Sequence, residues 1–152
     1  MRRDLHAPIT PAPLPHGVAL VPFSREVAPA CHALMDVVYA DGFGGNRPYA
    51  DWWTWLTENQ FADYAPQHMY VARSGDGIVG FCHGWEEPFI KDLVVARAWR
   101  RRGLGSALLT SALEGYRAAE AASVDLKTDV DNVTAQALYR RLGFSIVERI
   151  DP

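Results

Sequence analysis

A hydrophobic stretch runs directly into an arginine-rich turn and then into a helix opened by two glycines, over residues 93–108. The first amides of a helix have no partner inside the helix, and the helix dipole places partial positive charge at that end. Gly103 and Gly105 have no side chains to keep an anion away from those amides. The neighbouring arginines add fixed positive charge. The segment therefore predicts a strand, a turn and a helix that together bind a phosphate-bearing ligand.

The two common nucleotide-binding patterns do not fit this segment. A Walker P-loop requires Gly-Lys-Ser/Thr after four intervening residues, and the segment contains no such triplet. A dinucleotide-binding fingerprint requires a third glycine three places after Gly105, and that position is Leu108. The ligand is therefore expected to belong to another class of phosphate-bearing molecule.

A third pattern does match. The residues Arg100-x-x-Gly103-x-Gly105 resemble the Arg/Gln-x-x-Gly-x-Gly/Ala signature of the GNAT superfamily of acetyltransferases. In that family these amides hold the pyrophosphate of coenzyme A. A basic turn before a helix that merely tolerates glycine would produce the same six residues, so this motif alone does not separate the two interpretations.

A second motif supports the same family. The segment from Asn132 through Tyr139 to Gly143 and Phe144 is similar, nearly position for position, to the family's Asn-x-x-Ala-x-x-Leu-Tyr-x-x-x-Gly-Phe pattern. It lies a strand and a helix downstream of the first motif, at the family's usual separation. The resemblance covers roughly residues 18–150 and is specific from Asp92 onward.

The order of patterns along the chain predicts an α+β fold around one mostly antiparallel sheet. Apolar alternation indicates strands, and apolar spacings of three and four indicate helices. Expected strands cover residues 18–23, 69–72, 78–85, 89–95, 124–130 and 144–150, and expected helices cover 25–39, 49–60, 103–122 and 132–142. The resemblance implies the GNAT-type fold, a mixed sheet of six to seven strands flanked by about four helices. Residues 17–152 are expected to form a single domain, and residues 1–16 a flexible proline-rich leader.

The resemblance implies that acetyl-CoA is the cosubstrate, with no metal. Its pantetheine arm would lie in a gap between residues 93–95 and 124–130, where a bulge splays the two strands. A backbone amide at that point would also polarise the thioester carbonyl. The residues expected to contact acetyl-CoA are Leu93, Val94, Val95, Arg100, Arg101, Arg102, Gly103, Leu104, Gly105, Ser106, Asn132 and Tyr139.

The resemblance also implies catalytic roles. Tyr139 stands where the family places its general acid, which gives the departing thiolate a proton or a hydrogen bond. The general base stays open at this point. Asp92 and Glu87 rank first, Glu86 and His83 are further candidates, and an ordered water without a dedicated base is an equal alternative.

The resemblance implies that the acceptor is an amine, bound in a cleft walled by the first two helices and the loop between them, here residues 39–53. Aromatic residues and aspartates alternate there, which suits an amine with a flat apolar body. Alternatively, Trp52 and Trp55 face the core and the aspartates are solvated or cap the helix. A small-molecule amine, a peptide N-terminus and a protein lysine all stay open. A non-catalytic module that senses coenzyme A is the competing functional class.

Composition narrows the remaining choices. The net charge of −3 and the pI of about 5.9 argue against nonspecific binding to nucleic acid or anionic membranes. With no signal peptide, no long apolar run and only Cys31 and Cys82, the chain is expected to be cytoplasmic with reduced thiols. Each cysteine precedes a histidine, but the spacing matches no zinc pattern. Family members commonly continue into a seventh strand, so residues 144–150 are expected to leave a sheet edge that can pair in a homodimer.

Overall fold

Within the residues that the structure describes, six strands, numbered β1 to β6 along the chain, form one mixed sheet in the order β1-β6-β5-β4-β3-β2. The computed structural model describes residues 1–42, 45–58, 64–75 and 77–149. All neighbouring strands are antiparallel except β5 and β6, which are parallel, so the predicted α+β sheet is confirmed. The strands are β1 (Arg2–Asp4), β2 (Val18–Pro22), β3 (Met69–Ser74), β4 (Gly77–Gly84), β5 (Phe89–Val95) and β6 (Ser123–Leu126). The helices are α1 (Ala28–Ala40), α2 (Tyr49–Glu58), α3 (Leu104–Ala118) and α4 (Val133–Arg141).

Side chains that alternate along the central strands divide the core between the two faces of the sheet. Phe81 and Val94 pack on one face with apolar residues of α1 and α2. Cys82 packs on the other face with Leu108 and Leu113 of α3. Burying a side chain of this size contributes about 1.5–3 kcal/mol, so each face holds its own helices. None of the helices in the described residues is long and apolar enough to cross a membrane.

Strands β5 and β6 pair only at the start of β5 and the end of β6. Phe89 and Ile90 are opposite Asp125 and Leu126, where β6 ends, whereas β5 continues to Val95. The structure therefore contains the splayed gap expected between these strands, although β6 is shorter than the predicted residues 124–130.

A bulge in β5 also agrees with the expectation. Asp92 pairs with His83 and Ile90 pairs with Gly84, which leaves Lys91 as an additional residue on β5. The backbone beyond this bulge has one side directed into the gap. The Ala96 N–H donates to the Val79 carbonyl on β4 (2.8 Å), so by alternation the Val95 N–H points away from β4.

The two ends of the described chain differ from expectation. Residues 2–4, predicted to belong to the leader, form β1 against β6, because Arg2 pairs with Asp125 (2.8 Å) and Arg3 is buried. The prediction of a strand over residues 144–150 is wrong for the part that the structure describes. Ser145 makes a single bridge to Arg2, and residues 146–149 are exposed with no partner strand. They bury too little apolar surface to be held against the sheet.

Helix boundaries shift by a few residues. Helix α1 begins at Ala28 rather than at residue 25, since Pro29 favours the first turn of a helix. Helix α3 ends at Ala118, shortly before Glu120, whose φ of 66° is left-handed and incompatible with a continuing helix. The predicted end of the second helix, at residues 59–60, lies outside the described residues.

Candidate active site

Asp92 carries a buried carboxylate with partners from three parts of the chain. Its side chain is 8% exposed and lies on β5, on the sheet face covered by α1 and α2. The Tyr39 hydroxyl at the end of α1 donates a hydrogen bond to Oδ1. The Nδ1 atom of His83 lies 3.3 Å from Oδ2, and the Nζ atom of Lys91 lies 3.8 Å from Oδ1. These contacts fix the carboxylate at the edge of the gap.

The same contacts set the protonation state of Asp92. Burial raises the pKa of Asp92, but the hydrogen bond and charge of His83, the charge of Lys91 and the hydrogen bond from Tyr39 bring it below its ordinary value. Asp92 is therefore ionised at neutral pH. Burial and the neighbouring carboxylate raise the pKa of Tyr39, which keeps its hydroxyl a donor.

His83 stands directly behind Asp92 and is completely buried. Its ring stacks on Phe81, with centroids 5.9 Å apart, and meets Trp55 edge-on at 6.4 Å. Its Nε2 atom has no hydrogen-bond partner among the described residues. A buried ring nitrogen of this kind costs stability unless another contact offsets it. The position of the ring is therefore best explained by the contact between its Nδ1 atom and the Asp92 carboxylate.

A cavity of about 300 Å³ opens at Asp92, on the side of α1 and α2. Trp52 contributes to its wall and is also part of the core at 3% exposed, whereas Trp55 is half-buried. Asp41 and Asp51 are exposed, as the solvated alternative predicted. The lining residues are Gly45, Asn46, Arg47, Trp52, Trp55, Lys91 and Asp92.

The arginine-rich turn lies where β5 ends and α3 begins. Arg101 has a φ of 63° and Gly103 a φ of 83°, so two left-handed residues occur within three positions. Such a conformation is unusual for arginine, and turns with left-handed residues can direct successive backbone N–H groups into a concavity that binds anions. The Arg100, Arg101 and Arg102 side chains are exposed, and Arg102 lies over the Trp99 ring at 4.7 Å.

The turn also meets the gap. A Cβ atom at Gly105 would lie 3.8 Å from a methyl carbon of Val95, which places the first turn of α3 beside the end of β5. The Arg100 Nε donates to the Val95 carbonyl at 3.4 Å. The start of α3, whose first N–H groups have no partner inside the helix, thus lies beside the Val95 N–H that points away from β4.

Helix α4 packs Tyr139 against the same core cluster as Leu93 and Val95. The Asn132 side chain accepts a hydrogen bond from the Ala135 N–H (3.2 Å), so Asn132 is the predicted helix cap. Tyr139 is half-buried, and its ring lies 5.9 Å from that of Phe144. Burial, with smaller contributions from the charges of Cys82 and Asp92, raises the pKa of Tyr139 to about 12. The charge of Asp92 thus acts on the Tyr139 hydroxyl, whereas none of the described residues forms a hydrogen bond with it.

The other acidic candidates for the general base lie on the surface. Glu86 and Glu87 are exposed in the turn between β4 and β5, and Glu86 accepts a hydrogen bond from Gln67 at 3.0 Å. The structure does not bring Glu87 into contact with Asp92 or Tyr139. Sequence reasoning missed Tyr39 as a partner of Asp92, because 53 residues separate them and no local pattern marks the pair.

The cysteine–histidine pairs are separated in the fold. Cys31 and Cys82 are buried free thiols whose pKa values burial raises to about 12. Within the described ranges, no group of three or more histidine, cysteine, aspartate or glutamate residues has a geometry that could hold a metal ion.

Several known proteins are similar to this chain in sequence and in fold. A sequence model of the acetyltransferase (GNAT) family matches residues 33–144. The mycothiol acetyltransferase of Corynebacterium glutamicum (strain R) is 33% identical over 127 residues, which cover 74% of this chain and 43% of that protein. The mycothiol acetyltransferase of Clavibacter michiganensis subsp. michiganensis is 31% identical over 144 residues, covering 87% and 44%. The chain thus spans less than half the length of these relatives.

A solved structure is similar to this chain in fold. The GCN5-related N-acetyltransferase from Sphaerobacter thermophilus superposes with a TM-score of 0.77 and 26% identity, over 93% of this chain and 45% of that one. The sequence comparison and the fold comparison agree with each other. This chain belongs to the GNAT family of acetyltransferases.

Proposed function

We propose that this chain transfers the acetyl group of acetyl-CoA to a primary amine by direct attack, while both molecules are bound. One observation carries the proposal. A buried, ionised carboxylate at Asp92 lies at a gap with an anion-binding turn at one end and a cavity on one face. A residue that is buried, charged and open to a cavity is a candidate for chemistry rather than for stability.

Acetyl-CoA supplies the activated acetyl thioester. The backbone of Leu93, Val94 and Val95 would hold its extended arm, since the Val95 N–H points into the gap. The left-handed turn and the start of α3 would hold its diphosphate through unpaired N–H groups and nearby guanidinium groups. The residues proposed for that contact are Arg100, Arg101, Arg102, Gly103, Leu104, Gly105 and Ser106, with Asn132 capping the helix that presents Tyr139.

Asp92 acts on the amine. An alkylammonium has a pKa near 10, far above that of a depressed carboxylate, so Asp92 does not remove its proton in the ground state. Asp92 attracts and orients the amine instead, and the amine attacks in its neutral form after its ammonium proton has passed to solvent. The attack makes the nitrogen cationic and acidic, and Asp92 accepts its proton while the carbon–sulfur bond breaks and the thiolate leaves. Positioned proton transfer of this kind contributes about 10²–10⁴ in rate.

Tyr139 acts on the leaving sulfur. A tyrosine whose pKa is about 12 stays protonated at neutral pH. A thiol has a pKa of about 8.5, so complete proton transfer from Tyr139 to the thiolate is unfavourable. Tyr139 therefore stabilises the departing thiolate as a hydrogen-bond donor.

The experiment measures free thiol released from acetyl-CoA across amines, amino acids, peptides and aminoglycosides, with calorimetric binding of coenzyme A alongside. Acceptor-dependent thiol release that Asp92→Asn abolishes supports the enzyme. Coenzyme A binding without acceptor-dependent release from any amine supports the sensing module instead. An absence of coenzyme A binding contradicts both.

A further inference from the structure

The cavity beside Asp92 presents two cationic side chains together with its one carboxylate. Lys91 Nζ is 3.8 Å from Asp92 Oδ1, so these two opposite charges largely offset each other. Arg47 has no carboxylate within salt-bridge distance in the part of the chain that the structure describes. The lining residues therefore carry a net charge of +1, two cations against one carboxylate, although the whole chain carries −3.

Contacts with two helices, α1 and α2, hold Arg47 in position. The buried His32 on α1 places its Nε2 atom 2.6 Å from the Arg47 carbonyl oxygen. The preceding Asn46 donates to the Asp36 carboxylate at 2.8 Å. The Arg47 guanidinium carbon lies 5.0 Å from the centre of the Trp55 ring, which is cation–π geometry. A cation held in this way loses little freedom when a ligand binds it.

We propose that the acceptor is an amine that also bears an anionic group, and that Arg47 binds the anion while Asp92 faces the amine. The inference rests on the proposed function and names its substrate class. A guanidinium matches a carboxylate with two parallel hydrogen bonds, and an ammonium group matches Asp92. An acceptor with several positive charges, such as an aminoglycoside, meets like charge at Arg47 and Lys91.

The size of the cavity limits what can enter. A volume of about 300 Å³ is at the lower end of ligand pockets. It accommodates a free amino acid or the first residue of a peptide. Both sources supply the same chemistry, an amine a few bonds from a carboxylate, and the experiment separates them.

The experiment compares kcat/KM for acceptors that differ by one negative charge. Glutamine against glutamine amide tests the free amino acid, and an amidated peptide that begins with Asp against one that begins with Asn tests the peptide. We expect the anionic member of at least one pair to be preferred about tenfold or more, in line with a charge-assisted hydrogen bond. An aminoglycoside is expected to be the poorest acceptor.

Variants test whether Arg47 carries the preference. Arg47→Gln should remove it, and Arg47→Glu should reverse it toward cationic amines. Arg73→Gln is the matched control, because Arg73 is an exposed arginine on β3 that does not line the cavity. Equal behaviour of Arg47→Gln and Arg73→Gln overturns the inference.

Tryptophan fluorescence gives a second readout that does not require turnover, because Trp52 and Trp55 line the cavity. Trp55→Phe assigns the signal. Binding of the anionic partner without thiol release from any amine contradicts the proposed catalysis and supports the acceptor site. Thiol release from neutral or polycationic amines at least as fast as from anionic ones overturns the inference and supports the proposed catalysis. Absence of both binding and turnover for the anionic partners also overturns it.

Discussion

The Nδ1 atom of His83 lies 3.3 Å from Oδ2 of Asp92, and the two residues are direct partners across β4 and β5. The bulge at Lys91 produces this register, because it adds one residue to β5 just before Asp92. One carboxylate oxygen thus faces His83 and the other faces Tyr39 and Lys91. The sheet itself orients the proposed catalytic carboxylate.

Replacement of the carboxylate tests its role. Asp92→Asn keeps the side-chain shape and removes the charge, so we expect kcat/KM to fall by about 10²–10⁴ while coenzyme A still binds. Glu87→Gln is the matched control and should behave like the wild-type protein, since Glu87 is exposed in a turn. A large loss in Glu87→Gln, with activity retained in Asp92→Asn, would transfer the role to Glu87.

Stability against pH tests the environment of Asp92. Because its pKa is lowered from 3.8 in the folded state, Asp92 contributes stability above that value. The contribution is lost as pH falls through the lower folded-state pKa. We expect the difference in free energy of unfolding between the wild-type protein and Asp92→Asn to be larger at pH 7 than at pH 3, measured by urea denaturation. A difference that grows toward acid pH would contradict the assignment.

Tyr139→Phe tests the thiolate partner. Loss of a hydrogen bond to a charged group costs about 1.5–3 kcal/mol, so kcat should fall about 10- to 150-fold. The calorimetric Kd of coenzyme A should change little. Since the pKa of Tyr139 is about 12, its hydroxyl stays protonated between pH 7 and 10, and the wild-type rate should show no loss from its ionisation there. Equal losses in kcat and in coenzyme A affinity would indicate a binding role instead.

Two glycines of the turn should respond differently to alanine. Gly103 has a φ of 83°, which costs a residue with a Cβ about 1–2 kcal/mol, so Gly103→Ala should lower the free energy of unfolding. A Cβ at Gly105 meets only ordinary contacts, 3.5 Å from Leu138 and 3.8 Å from Val95, so Gly105→Ala should leave stability unchanged or raise it. Urea denaturation measures both variants. Destabilisation of Gly105→Ala alone would contradict this account.

Arg3 should be important for stability but not for chemistry. Its Nε donates to the Leu142 carbonyl (2.9 Å) at the end of α4, and its Nη2 donates to the Pro8 carbonyl (2.7 Å). Because these acceptors bind a buried charged group, Arg3→Met should cost about 2–3 kcal/mol by urea denaturation. The control is Arg2→Met at an exposed ion pair, which should change stability little. An equal effect of the two variants would mean that burial of Arg3 contributes nothing.

Local signals predicted the parts of the site that the chain builds from neighbouring residues. β5 has the expected bounds, and Asn132 caps α4, because alternation and capping are properties of short segments. β1 was not predicted, since Arg2–Asp4 has no apolar alternation and is held by the edge of β6 and by carbonyls that bind Arg3. A strand of this kind is determined by its tertiary neighbours rather than by its own residues.

The acceptor side was less predictable than the cosubstrate side for the same reason. The residues proposed to bind phosphate, 100–106, are contiguous in the sequence. The partners of Asp92 instead come from α1, β4 and its own strand. The aromatic residues within 39–53 were expected either to line the acceptor cleft or to pack in the core. Trp52 does both, because it lines the cavity and is buried in the core. Phe43, an aromatic residue between α1 and α2, lies outside the described residues.

The gap between β5 and β6 is an opening between the two faces of the sheet. Helix α3 and the arginine-rich turn lie on one side, and the cavity with Arg47 lies on the other. If acetyl-CoA and the amine bind as proposed, they can arrive and depart by separate routes, so neither has to leave before the other exchanges. Two weak inhibitors, one for each side, can then be joined through the opening by a short tether. Each would raise the effective concentration of the other, with no new contact to the protein.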